Sequence, residues 1–394
     1  MTITRAGGLT PSSSSHSVAH RTGTFRSATA EQMTARLRPM LDRFGITRVA
    51  DLTRLDEIGL PVHIAYRPCG RTLSVSVGAG TEPRQAWVSA VMESIEAWHG
   101  ENPRLPVVER APARALGLPY DVRSLNLAER SLLSPLTVLD WVLGHSVLSG
   151  QPVLVPLGLI ELDSTRRVDR HQTLFNITSN GLATGNTRTE AILHGLFEVI
   201  ERDCCTPFTE LPLTERSYVD LDSVTHPVPS RILALLRQAD CHVELSETTN
   251  EMGIPSYACA IWSVDVPIFF SGFGCHLESD LAVTRALLEA VLSRLATISG
   301  ARDDIDEFFY RNADPLAKPT LAGRDLRPVG TSAGPRDSVE SAIRFCAEQI
   351  MKFTGTEPIF VDLTQDDIEI PAVKVIAPGL RMFNDAAVAS RPRS

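Results

Sequence analysis

The sequence predicts an α+β protein in which helices pack on mixed sheets, and three observations carry that expectation. Apolar runs bounded by Gly and Pro, such as "TLSVSVGAG" and "PIFFSGFG", read as strands. Longer segments with helical spacing, such as "DLAVTRALLEAVLSRLATISG", read as helices. A unit of strand, glycine turn and helix also recurs along the chain. With 394 residues and 43% apolar content, the chain can bury one large core or two coupled ones.

In chain order, the Ser-rich start "MTITRAGGLTPSSSSHSVAH" lacks the apolar centre of a signal peptide, and residues 1–20 are expected to be disordered. "SATAEQMTARLRPMLDRFGI" reads as a helix with Glu31, two residues after Thr29, in its first turn. "VADLTRLDEIGLPVHIAYRP" reads as a short turn followed by a strand, and "TLSVSVGAG" as the next strand. "TEPRQAWVSAVMESIEAWHG" predicts an amphipathic helix that starts near Pro83 and ends before Gly100. Residues 103–160, rich in Pro and Leu, read as a connection to "SNGLATGNTRTEAILHGLFEVIERD", a glycine-rich turn running into a helix. "PSYACAIWSV" and "PIFFSGFG" are then strands, "DLAVTRALLEAVLSRLATISG" a long helix, and "EPIFVDLTQ" and "AVKVIAPGL" two closing strands.

Charge and composition exclude several functions. A formal charge of -9 argues against a protein that coats nucleic acid or an anionic membrane, and no apolar run approaches transmembrane length. Only Lys318, Lys352 and Lys374 are lysines, so anion recognition must rest almost wholly on arginine. No Gly-Lys pair occurs, which excludes a P-loop. The seven cysteines are odd in number and show no C-x-x-C spacing, so they read as reduced thiols of a cytoplasmic protein. Cys275 and His276 are read as buried structural residues before metal ligands.

The most informative feature is an internal echo at a constant offset of 105 positions. Ser74, Gly80, Ala86, Glu93, Ile95 and Glu96 recur as Ser179, Gly185, Ala191, Glu198, Ile200 and Glu201. A fainter third copy contains Ala282 and Glu289, with Leu292 at the place of the second acid. Residues three apart share a helix face, so each E-x-x-E sets two carboxylates side by side. Two such helices facing each other would converge four acids on one point. Four such acids attract a divalent cation, and hard oxygen ligands suit magnesium, which keeps waters and is commonly bound together with phosphates. Arg202 and Arg294 could then clamp phosphate. Amides at the N-terminal ends of these helices favour anions as well.

Taken together, "SVSVGAGTEPRQAWVSAVMESIEAWHGE", "SNGLATGNTRTEAILHGLFEVIERD", "EAVLSRLATISGARDD" and "IPAVKVIAPGL" resemble the YcaO family of ATP-dependent backbone-amide modifying enzymes. The resemblance covers roughly residues 15 to 383. Within the family the chain is most similar to the branch found with TfuA-like partners, on the stretch "HRTGTFRSATAEQMTARLRPMLDRFGITRVADLTRLDEIGLPVHIAYRP" and on "TLSVSVGAG". The resemblance implies a YcaO-type ATP-binding fold over residues 21–383, with subdomains of roughly 21–160 and 161–383 and a C-terminal tail at 384–394. It further implies ATP and Mg²⁺ as cofactors, with Glu93, Glu96, Glu198 and Glu201 as the metal-binding acids. Ser179, Asn180, Glu190, Arg202, Glu289 and Arg294 fall at positions that contact nucleotide or metal, and Arg21 and Arg26 at positions that reach the phosphates. Taken singly, Asn180 is equally a turn former, Arg202 a surface ion pair and Arg294 a charge near a helix C-terminus.

The implied chemistry replaces an amide oxygen. That oxygen is a poor leaving group because the amide is resonance-stabilised, and phosphorylation supplies the activation. A side-chain nucleophile gives an azoline, an amine an amidine, and external sulfide a thioamide. The chain departs from common family patterns at Gly78-Ala79-Gly80, where G-K-G is usual, at Leu292, where glutamine is frequent, and at Arg381, where P-G-L-E is common. Its tail "NDAAVASRPRS" lacks the proline-rich end of many azoline formers, which points toward thioamide formation. The expected partners are a ribosomal precursor peptide, a TfuA-like protein and a sulfur donor, with the chain itself a homodimer. The competing expectation is a degenerate family member acting as a peptide-binding scaffold.

Overall fold

A computed structural model describes residues 19–21, 24–163, 174–302, 304–305, 311, 319–321, 323–334 and 336–382. Most of the expected N-terminal segment and the whole tail at 384–394 lie outside the described residues. Ala19 and His20, expected within the disordered segment, instead belong to a short strand β1 (Ala19–Arg21) that pairs antiparallel with β2 (Thr24–Arg26).

The first expected helix is split. Thr29 and Gln32 form a reciprocal capping box for α1 (Ala30–Leu37), and the chain then tightens into a 3₁₀ turn over Arg38–Phe44. Pro39 causes the change, because it has no N–H to continue the α-helical ladder. A three-stranded antiparallel sheet follows, β3 (Arg48–Asp51), β4 (Val62–Tyr66) and β5 (Val75–Ala79), and α2 (Pro83–Glu101) packs on β4 and β5. Here α2 does not stop before Gly100 but runs through it to Glu101. A Cβ on Gly100 would stand 2.7 Å from Leu162 Cδ1, so this glycine permits close packing and is not a stop signal. The Glu101 carboxylate pairs with buried Arg67 and anchors the helix end.

The stretch read as a connection contains three strands, β6 (Glu109–Pro112), β7 (Val138–Ser146) and β8 (Pro152–Pro156). Pro112 at the end of β6, Pro135 shortly before β7 and Pro152 and Pro156 at the two ends of β8 disguise them as loop. They join β9 (Leu182–Thr184), β15 (Ile359–Asp362) and β16 (Ala372–Ile376) in a six-stranded sheet of order β6-β7-β15-β16-β9, with β8 also paired to β7. Strands from both sides of residue 160 share this sheet, so the expected subdomain division at that point is not a structural boundary. The long helix α3 (Arg188–Glu210) lies over β9 and β16.

The third sheet has the order β13-β12-β11-β10-β14, from β10 (Tyr218–Val219), β11 (His242–Glu247), β12 (Ser256–Trp262), β13 (Phe270–Cys275) and β14 (Leu326–Arg327). Its helices are α4 (Pro227–Gln238) and α5 (Ser279–Ser299), while α6 (Val339–Thr354) packs on α3. One apolar core joins the three-stranded sheet to the five-stranded sheet through α5, and another lies between α3, α6 and the six-stranded sheet. Each of α2, α3 and α5 enters directly from a strand, β5, β9 or β13, and packs back on it. Gly80 and Gly185 serve the same local purpose: a Cβ would meet the Ala86 amide at 2.7 Å or the Ala191 amide at 2.6 Å. Cys275 and His276 are buried, as the sequence reading favoured.

Candidate functional site

The N-terminus of α3 is built around Glu190. Thr187 caps the helix by accepting from the Glu190 amide at 3.1 Å. The Glu190 carboxylate in turn accepts from the Ser27 amide at 2.6 Å and from the Asn186 side chain at 2.7 Å, with Arg26 at 3.9 Å. This ties the strand β2 segment to the start of the helix. Beyond Glu190, His194 and Glu198 follow at intervals of four and share its face. The His194 Nε2 lies 3.2 Å from an Arg285 guanidinium nitrogen on α5.

Glu198 sits under the turn that leads into β9. Gly181 adopts φ 78, a Cβ there would stand 2.1 Å from the Val375 carbonyl oxygen, and its amide donates to Glu198 at 3.2 Å. Only glycine fits this left-handed, tightly packed position. From the facing helix α2, Glu96 accepts from the Thr184 amide of β9 at 2.9 Å. Among the described residues, both hydrogen bonds to Glu96 use Oε2, so Oε1 can take a further ligand.

Three of the four expected metal acids act on one another across the α2–α3 gap. Although Glu93 still reaches solvent, the walls of the gap shield its carboxyl from bulk water and push it up to about 7, with Arg302 opposing and Glu198 adding to the shift. The same shielding raises Glu96 well above its ordinary value, reinforced by Glu198 and Glu93. Burial pushes Glu198 up to about 7 against the pull of Arg202, with Glu201 adding to the rise. Glu201 itself is buried, while Glu93 remains exposed, so the acids grade from solvent into the interior. Carboxylates that raise one another in this way are held close without enough positive charge between them. Arg202 is 4.0 Å from Glu198 and 3.9 Å from Glu201, too far for strong charge-assisted hydrogen bonds.

This donor set fits magnesium bound with phosphate. Among the described residues no three acidic, histidine or cysteine side chains form a closed metal cage. Magnesium does not require one, because it commonly takes one or two carboxylates and completes its octahedron with water and substrate phosphate oxygens.

The other residues expected at the site divide into groups. Ser179 and Asn180 form the turn preceding Gly181, with Ser179 exposed. Glu289 accepts from the Phe273 amide at 3.2 Å and, with Glu201, acts electrostatically on Cys205, so it faces the C-terminal half of α3. Arg26 is among the group at Glu190, whereas the side chain of Arg21 lies outside the described residues. Arg294 is not brought to the acids. It is 2% exposed and binds Asp56 at 2.8 Å, Asp265 at 2.8 Å and Ser263 at 2.6 Å, so its guanidinium is committed to a structural ion cluster.

Sequence reasoning passed over four residues of the cluster. Lys374 on β16 is 4% exposed and donates to the Thr178 carbonyl at 2.6 Å. Burial lowers its pKa to about 8 against the pull of Glu198 and Glu96. A lone lysine inside the apolar run "AVKVI" was the available signal. His194 was legible as the residue midway between Glu190 and Glu198. Burial, then Arg285 and Arg26, push its imidazole well below the ordinary value. Asn186 and Arg285 lie within stretches already singled out, but nothing in their spacing distinguishes them from neighbours.

Comparison with known proteins shows the family and the fold. The model of a family described as YcaO cyclodehydratase, ATP- and Mg²⁺-binding, matches residues 77–381. An uncharacterised protein of the tfuA 3′ region of Rhizobium leguminosarum bv. trifolii is 34% identical over 411 residues, covering 96% of this chain and 93% of the relative. The solved YcaO of Methanopyrus kandleri, bound with AMPPCP and Mg²⁺, superposes with a TM-score of 0.70 at 23% identity, covering 93% of this chain and 94% of that one. A heterocyclase in complex with substrate and cofactor gives a TM-score of 0.71 at 20% identity, covering 91% of this chain, which spans only about half (53%) of that longer chain. The chain therefore belongs to the YcaO family of ATP- and Mg²⁺-binding cyclodehydratases and is an ATP-dependent peptide-modifying enzyme.

Proposed function

We propose that this enzyme activates backbone amides of a ribosomally synthesised precursor peptide and, with a sulfide donor and a TfuA-like partner, converts them to thioamides. The observation that carries the amide-activating part is the mutual approach of Glu93, Glu96 and Glu198 across the gap between α2 and α3. When bound, ATP with Mg²⁺ supplies the phosphoryl group that turns the amide oxygen into a leaving group. Glu93, Glu96, Glu198 and Glu201 would hold the metal, and Arg26, Arg202 and Arg285 would face the phosphates. These side chains orient the polyphosphate and neutralise charge where it develops. Gly181 and Thr184 keep Glu198 and Glu96 in place through backbone donors.

The thioamide assignment is supported by the relative in a tfuA region. A cyclodehydratase giving an azoline, or its amidine-forming counterpart, is the second reading, favoured by the heterocyclase among the structural neighbours. Mass spectrometry of the cognate peptide after incubation with ATP, Mg²⁺, sulfide and the TfuA-like protein separates them. Thioamide formation raises the peptide mass by the sulfur-for-oxygen difference. Cyclodehydration removes one water, and a dehydrated product formed without sulfide would overturn the thioamide assignment.

A further inference from the structure

His194 lies on α3 between two acids of the same helix face. On one side along α3 is Glu190 and on the other Glu198, each with backbone donors to satisfy it. His194 instead contacts a cation: its Nε2 lies 3.2 Å from an Arg285 guanidinium nitrogen. A guanidinium can only donate, so Nε2 must present its lone pair, and the imidazole is the neutral acceptor of that bond. Arg26 is close enough to act on both groups.

The choice of acceptor has a consequence for charge. A carboxylate at this position would orient Arg285 but cancel its charge. A neutral imidazole fixes the direction of the guanidinium and leaves the charge available. Arg26 is likewise restrained only loosely, with Glu190 at 3.9 Å. Two guanidinium groups so placed repel each other until an anion lies between them.

We propose that His194 is a positioning residue that aims Arg285, beside Arg26, at the polyphosphate of the bound nucleotide. This rests on the proposed assignment of the cleft as the nucleotide site. His194 touches neither nucleotide nor metal and acts only through Arg285.

The test compares binding of AMPPCP with Mg²⁺ to binding of adenosine, by calorimetry, in wild type and in His194→Asn, His194→Leu and His194→Gln. Glutamine can return an acceptor to the ε position, whereas asparagine reaches only the δ position and leucine has none. Removing the acceptor of a charged hydrogen bond should weaken AMPPCP by roughly 10-fold or more in the Asn and Leu variants. Adenosine, which has no phosphates, should bind all three variants as it binds wild type, and the Gln variant should keep AMPPCP affinity within about 3-fold. In an Arg285→Gln background, His194→Asn should cause no further loss. Equal losses for AMPPCP and adenosine, a Gln variant as weak as the Asn variant, or an undiminished loss in the Arg285→Gln background would each overturn the proposal. If the Leu variant does not fold, the Asn and Gln pair decides the question. Failure of wild type to bind AMPPCP would instead refute the nucleotide-site assignment itself.

Discussion

Replacing Glu198 by Gln should uncouple stability from activity in opposite directions. The side chain is 18% exposed and its carboxyl is pushed up to about 7 by burial, with Glu201 adding to the rise. In the unfolded chain the same group titrates near the ordinary glutamate value of about 4.3. Between those values the folded state holds a proton that the unfolded state has lost, so this group's contribution to stability falls as pH rises. At pH 7 the strain is on the order of 2–3 kcal/mol, and Gln removes it while keeping an oxygen for the Gly181 amide. The metal-free variant should therefore unfold a few degrees above wild type at pH 7, and this advantage should shrink toward pH 5. Loss of one carboxylate that neutralises charge should lower Mg²⁺-dependent ATP turnover by about 10²-fold or more. Thermal unfolding at pH 5, 6 and 7 without metal or nucleotide, together with a phosphate-release assay, reads both effects. Adding Mg²⁺ with AMPPCP should stabilise wild type far more than the variant. A variant that melts below wild type at pH 7, or that turns over ATP at the wild-type rate, refutes the reasoning.

Two further outcomes follow from the same geometry. Glu93→Gln or Glu96→Gln should each damage ATP turnover about as much as Glu198→Gln, and combining either with Glu198→Gln should cost much less than the product of the single losses, as phosphate-release kinetics would show. Arg294→Met should leave the affinity of the folded protein for AMPPCP unchanged while lowering stability by about 3–5 kcal/mol, because buried Asp56 loses its partner. Denaturant titration beside calorimetry checks this, and a selective loss of nucleotide affinity would return Arg294 to the site.

Much of the site was legible because helical spacing is a local property. E-x-x-E places two acids on one face wherever the helix lies, and the offset between Glu93 and Glu198 marks two such helices as comparable. The strands "TLSVSVGAG", "PIFFSGFG" and "AVKVIAPGL" were legible for the same reason, since short stretches rich in β-branched and aromatic residues and bounded by Gly and Pro carry the strand signal locally. The strands β6 to β8 were not, because the prolines in and around them, Pro112, Pro135, Pro152 and Pro156, carry the same local signal as a loop. Gly100 likewise has the same local signature whether it ends a helix or lies beneath Leu162, and only the packing separates the two.

The sequence by itself determined the fold class, the residue types available for metal and phosphate, and the family to which the chain belongs, since each depends on short-range pattern and motif. Tertiary structure alone decided which charges meet. Arg202 and Arg294 are alike in one-dimensional context, yet one lies beside Glu198 and Glu201 and the other is enclosed by Asp56, Asp265 and Ser263. Lys374 and Arg285 join the site from β16 and α5, elements remote in sequence. The physical reason is that electrostatic energy depends on distance and burial, which are set by how three sheets and their helices pack and not by the spacing of residues along the chain.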